Sequence, residues 1–163
     1  FGAWKLDDVG SFDRGFDGKL GWSNSPFDGV REQSGLGLAV LKEEAELRLP
    51  ARMKEFFPRA KLADKKAWKG HQVHVVEVPG KDKAGELYFD VKTELLVGWK
   101  RQVESQSGIT TEEAKLEEYR AVDGVKIPFL ITKSTPELTS ITKVTEVKHN
   151  VDVADSKFVK PAN

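Results

Sequence analysis

The chain of 163 residues contains no cysteine, and its 26 basic and 26 acidic residues cancel to a formal net charge of zero. Without cysteine, disulfides, thiolate metal sites, cysteine nucleophiles and c-type haem attachment are excluded within this chain. The missing cysteines do not reveal the redox compartment. Zero net charge removes any global attraction to nucleic acid or to an anionic membrane, so no nucleic-acid partner is expected. No apolar run approaches the ~18 residues of a spanning helix, so no transmembrane segment is expected. The first residues, Phe1-Gly2-Ala3-Trp4-Lys5-Leu6, lack both an initiating Met and a signal-peptide pattern. They already read as a strand, which suggests a processed or truncated chain.

Catalytic motifs are absent as well. No serine lies in a Gly-x-Ser-x-Gly elbow, and Gly35-Leu36-Gly37 lacks the rest of a dinucleotide fingerprint. His71 and His74 stand three apart in a strand-like run. Odd spacing sends them to opposite faces, which argues against a shared metal. Glu112, Glu113, Glu117 and Glu118 could suggest an acid/base pair, but adjacent strand positions also diverge, and a solvated face is the better reading. His149 has no readable partner. No catalytic residue, cofactor or metal is expected, and the chain reads as non-enzymatic.

What remains is pattern. Asp123-Gly124 can supply the positive backbone angles of a two-residue type I′ hairpin turn. After it Val125, Ile127, Phe129 and Ile131 alternate with Lys126, Pro128, Leu130 and Thr132, a strand with one strongly apolar face. Pro128 lacks a donor, which places that point at an edge or a bulge. Further strands are expected at 60–68, 71–78, 85–91, 94–105, 110–121 and 138–149, a meander with turns at regular spacing. Thr110 to Tyr119 has helical propensity, but the hairpin after it demands a strand. Nearer the start, 2–6 and 30–33 read as short strands, and 11–16 and 19–24 flank a second signal at Asp17-Gly18.

Ser34 reads as a helix N-cap. Leu38, Leu41, Ala45 and Leu49 then recur at helical spacing, Pro50 breaks the helix, and a shorter one follows through Phe57. The expected class is therefore mainly β with inserted helices (α+β), in one domain. Its four Trp and nine Phe either fill a core or line an apolar cavity between sheet and helices. The cavity reading names Leu38, Leu41 and Phe56 on the helices, Leu95, Val97 and Trp99 on one strand, and Val125, Ile127, Phe129 and Ile131 on another.

Four stretches carry a resemblance. They are Gly-Phe-Asp-Gly-Lys-Leu-Gly-Trp at 15–22 and Leu-Tyr-Phe-Asp-Val-Lys-Thr-Glu-Leu-Leu-Val at 87–97. Glu-Tyr-Arg-Ala-Val-Asp-Gly-Val-Lys-Ile-Pro-Phe at 118–129 and Val-Lys-His-Asn-Val-Asp-Val-Ala-Asp-Ser-Lys-Phe-Val-Lys-Pro at 147–161 follow. In this order they resemble the LolA/LolB-like outer-membrane lipoprotein-sorting domains, in particular a loosely characterised envelope branch. The resemblance implies a strongly curved antiparallel sheet, an incomplete β-barrel, with helices over its concave face. It implies a periplasmic location, with a lipid or lipoprotein acyl chain as partner and 36–57 as lid. It also implies an N-terminal signal, helix and strand not found in these residues, and a lid arginine, for which Arg31, Arg48 and Arg52 are candidates by neighbourhood. The alternative is a structural or interaction subunit of a larger envelope or membrane-associated, redox-linked complex, with a filled core and other envelope proteins as partners.

Overall fold

A computed structural model describes residues 2–6, 8–46, 52–80, 85–105 and 108–162. Among the described residues the protein is mainly β, with two α-helices, a short 3-10 turn at Asp155–Lys157 and two antiparallel sheets, neither of which closes into a barrel. The chain divides into two compact units. One runs to Phe56 and takes in the residues from Asp152, and the other spans Phe57–Val151.

In the first unit β1 (Gly2–Leu6), β2 (Gly10–Phe16), β3 (Gly21–Ser25) and β4 (Gly29–Gln33) form a meander in sequence order. Asp17-Gly18 does close the β2–β3 hairpin, but through a four-residue loop, since Phe16 pairs with Gly21. The reason is the Asp17 side chain. Its Oδ1 accepts the N–H groups of Lys19 at 2.8 Å and Leu20 at 2.7 Å, so these two residues turn instead of extending the strand. Those donors hold the Asp17 carboxyl below its ordinary range.

Helix α1 (Gly35–Ala45) follows Ser34, whose hydroxyl makes no capping bond; its carbonyl accepts the Leu38 N–H at 3.2 Å. The helix ends before Leu49, which lies with Pro50 outside the described residues. It packs on β2 and β3. Gly21 is needed there, because a Cβ would come within 2.9 Å of both Leu38 and Leu41. Gly15 makes room in the same way for the ring of Trp22, which is 2% exposed. The Trp22 indole N–H donates to the Phe158 carbonyl at 2.9 Å and ties the C-terminal residues to this sheet. Helix α2 (Met53–Phe56) is a single turn, with Arg52 paired to Glu55 at 2.7 Å and also to Glu46.

The second unit is the predicted seven-stranded meander. β5 (Lys61–Trp68), β6 (His71–Val78), β7 (Gly85–Asp90), β8 (Leu96–Ser105), β9 (Gly108–Val122), β10 (Val125–Ser134) and β11 (Thr139–Lys143) pair in order. Asp123 and Gly124 have φ of 49° and 81°, and Val122 pairs with Val125, the expected two-residue turn. β9 is a strand throughout despite its helical propensity, because it pairs on both sides, with β8 and β10. Pro128 lies beyond the reach of β11, which pairs only up to Leu130, and Glu118 opposite this stretch turns left-handed with φ 54°. β11 is shorter than the expected 138–149. After Lys143 the chain leaves the ladder, and only the Val144 N–H still reaches β10, at the Phe129 carbonyl 2.9 Å away.

The core of this unit is Trp68, Val73, Val75, Tyr88 and Val97. Trp68 and Tyr88 stack with centroids 4.6 Å apart. The Trp68 ring lies over Gly98, where a Cβ would sit 2.2 Å from it.

Candidate ligand-binding face

Directly paired residues of neighbouring strands project to the same side of a sheet, and alternate residues share a face. One row across the second sheet therefore reads Val76, Leu87, Trp99, Ala114 and Lys133. On the same side Phe89 pairs with Leu96, and Leu116 with Ile131. Phe129 and Ile127 continue that face along β10. Ala114, Leu116 and Phe129 are buried at 1%, 6% and 7% exposure, and Val76, Leu87, Phe89, Leu96, Trp99, Ile127 and Ile131 are half-buried.

The ten residues expected at a cavity thus separate. Trp99, Ile127, Phe129 and Ile131 do share a face. Val125 belongs to the same alternation but stands at the turn, 53% exposed. Val97 does not join them. Phe89 pairs with Leu96 and Tyr88 with Gly98, so Val97 is an extra residue in β8. This bulge breaks the period of two and sends Val97 into the core with Tyr88 on the opposite face. Leu95 precedes the strand, its carbonyl accepting the Asp90 N–H at 2.9 Å. Leu38 and Leu41 pack by Gly21 in the first unit, and Phe56 is half-buried in α2. Sequence reasoning missed Leu87, Phe89, Leu96 and Leu116. The alternation Leu87, Phe89 within β7 was a readable signal, whereas Leu96 joins the face only because of the bulge.

Cations border this face. The Trp99 ring has the Arg101 guanidinium 5.4 Å and the Lys133 ammonium 5.8 Å from its centroid. Glu112 Oε1 accepts the Arg101 Nε–H at 3.0 Å and the Trp99 indole N–H at 3.4 Å. Arg120 lies 4.4 Å from the Phe129 ring centroid. Each such contact is worth about 0.5–1 kcal/mol where water has access. The long cationic side chains also cover ring surface with their stems.

Other polar groups pair locally. Asp90 Oδ2 meets His71 Nδ1 at 2.9 Å, while its Oδ1 accepts from the Lys92 and Thr93 N–H groups at 3.0 and 2.8 Å. His71, then the Thr93 donors, hold the Asp90 carboxyl well below its ordinary range, and the result is a locked β7–β8 turn. His74 pairs with Phe89 and so lies on the apolar face beside Val76, opposite to His71. His149, unpartnered in the sequence reading, meets Asp123 Oδ2 at 2.9 Å. Burial raises the Tyr119 phenol to about 12, and its hydroxyl donates to the Leu96 carbonyl. Burial first, then its bond to Glu86, raises the Tyr88 phenol. Among the described residues no group of three or more His, Asp or Glu could hold a metal. A hollow of about 390 Å³ lies between the ends of β6, β7 and β8, lined largely by polar residues including Glu77, Glu86, Lys100 and Gln102. None of the ten expected cavity residues lines it.

No family model, curated protein or solved structure matches this chain. No helix among the described residues is long and apolar enough to cross a membrane.

Proposed function

We propose that this protein is a non-enzymatic cell-envelope module that binds a lipid or lipoprotein acyl chain on the apolar face of its seven-stranded sheet. One observation carries the reading: Trp99, Ile127, Phe129 and Ile131 share that face with Leu87, Phe89 and Leu96, and cations stacked on Trp99 and Phe129 border it. An amphiphile suits such a surface. Its chain gains about 0.8 kcal/mol per buried CH₂, and the cations suit a polar or anionic end. In this reading the sheet is curved as an incomplete barrel, as in the LolA/LolB-like domains that the sequence resembles.

A second reading is favoured by the burial of Leu116 and Phe129 at 6% and 7% exposure: a filled core in a structural subunit of an envelope complex. Native purification followed by mass spectrometry of extracted lipid separates the two. Lipid near stoichiometry supports the carrier. No lipid, together with a stable complex with other envelope proteins, supports the subunit.

A further inference from the structure

The two edges of the seven-stranded sheet are treated differently. β5 carries Lys61, Asp64, Lys65 and Lys66 and an irregular register between Leu62 and Lys65, devices that keep an edge from pairing with another chain. β11, Thr-Ser-Ile-Thr-Lys, has no proline or bulge, one charge at its end, and all five residues exposed. Ile141 is 63% exposed.

Its hydrogen-bonding phase is readable. The Thr135 N–H donates to Leu138 at 2.8 Å, and the Val144 N–H donates to Phe129 at 2.9 Å. Bonding alternates along an antiparallel pair, so Leu138, Ser140, Thr142 and Val144 point their backbone groups at β10. Thr139, Ile141 and Lys143 point theirs outward, and no strand meets them among the described residues.

We infer that this edge is a homodimer interface, in which β11 pairs antiparallel with β11 of a second copy about a two-fold axis at Ile141. The phase permits it, since the three outward residues fall opposite outward residues. Ile141 faces its own counterpart, and Thr139 faces Lys143 of the second copy. About six backbone hydrogen bonds result. No like charges are opposed, Ser140 meets Thr142, and the exposed isoleucines become a cross-strand apolar pair. A self-complementary patch is what a two-fold interface requires. The formally neutral chain adds no net repulsion between copies.

The test is sedimentation equilibrium on the full chain, on Ile141→Lys, on Ile141→Glu, and on an equimolar mixture of the two variants. The unmodified chain is expected to dimerise with rising concentration. Each variant alone opposes like charges at the axis and loses the dimer at concentrations where the unmodified chain forms it. The mixture sets a cation against an anion and restores the dimer, which also excludes misfolding as the cause of the loss. A chain that stays monomeric at every concentration overturns the inference and leaves the edge to another protein or to none. Dimers that survive both substitutions, or a mixture no better than either variant, overturn the proposed axis.

Discussion

Replacing Phe129 by Ala puts the binding reading at greatest risk. Phe129 is 7% exposed in β10, on the face shared with Trp99 and Ile131, and its ring carries the Arg120 guanidinium at 4.4 Å. An aromatic side chain buries at least ~150 Å², which at ~25 cal/mol per Å² is about 4 kcal/mol. This agrees with the ~3–5 kcal/mol of Phe→Ala changes in packed cores, where a cavity remains. The Arg120 contact accounts for no more than ~1 kcal/mol of it, because Arg120 keeps Glu118 at 3.0 Å and has access to water. The assay is urea unfolding of both proteins, with lipid quantified in the same preparations. If an acyl chain packs on the ring, part of the contact is with ligand. The variant then loses distinctly less than 4 kcal/mol once both proteins are delipidated, and lipid occupancy changes. Phe129→Leu keeps most of the volume and should cost under ~1.5 kcal/mol. A loss of ~3–5 kcal/mol for Phe129→Ala with no lipid in either protein refutes the carrier and leaves the filled-core subunit.

Gly98→Ala drives a methyl to 2.2 Å from Trp68 and 2.4 Å from the Ala114 carbonyl. Backbone cannot give way there, so thermal unfolding should report a loss of at least ~1–3 kcal/mol, and an unchanged midpoint would show that Trp68 is not held against β8. Gly124→Ala forces a side chain into φ 81° at the β9–β10 turn and should cost about 1–2 kcal/mol, measured the same way. Asp90 titrates lower folded than unfolded, so its contribution is fully present above about pH 4 and is lost as pH falls through the depressed folded value. Asp90→Asn should therefore flatten the acid limb of the stability profile below pH ~4, and an identical limb in both proteins would show that the His71 and Thr93 bonds do not stabilise the carboxylate.

Much of the strand order was legible in the residues themselves. Asp123-Gly124 needs no tertiary partner to favour a type I′ turn, because the preference lies in the local sterics of two residues. The alternation after it is equally local, and it placed Ile127, Phe129 and Ile131 on one face. Helical propensity in 110–119 was overruled by the same hairpin, since a paired strand gains a ladder on each side. Tertiary structure decided what depends on neighbours. Whether Asp17-Gly18 closes two residues or four depends on where the Asp17 carboxylate finds its donors. The grouping of the strands into two sheets, with Leu38 and Leu41 against Gly21, depends on which apolar surfaces meet, and no periodicity encodes that. The site turns on the bulge at Val97. A single extra residue shifts every later side chain of β8 to the other face, so the split between Val97 in the core and Trp99 on the apolar face exists only once β7 and β8 are in register.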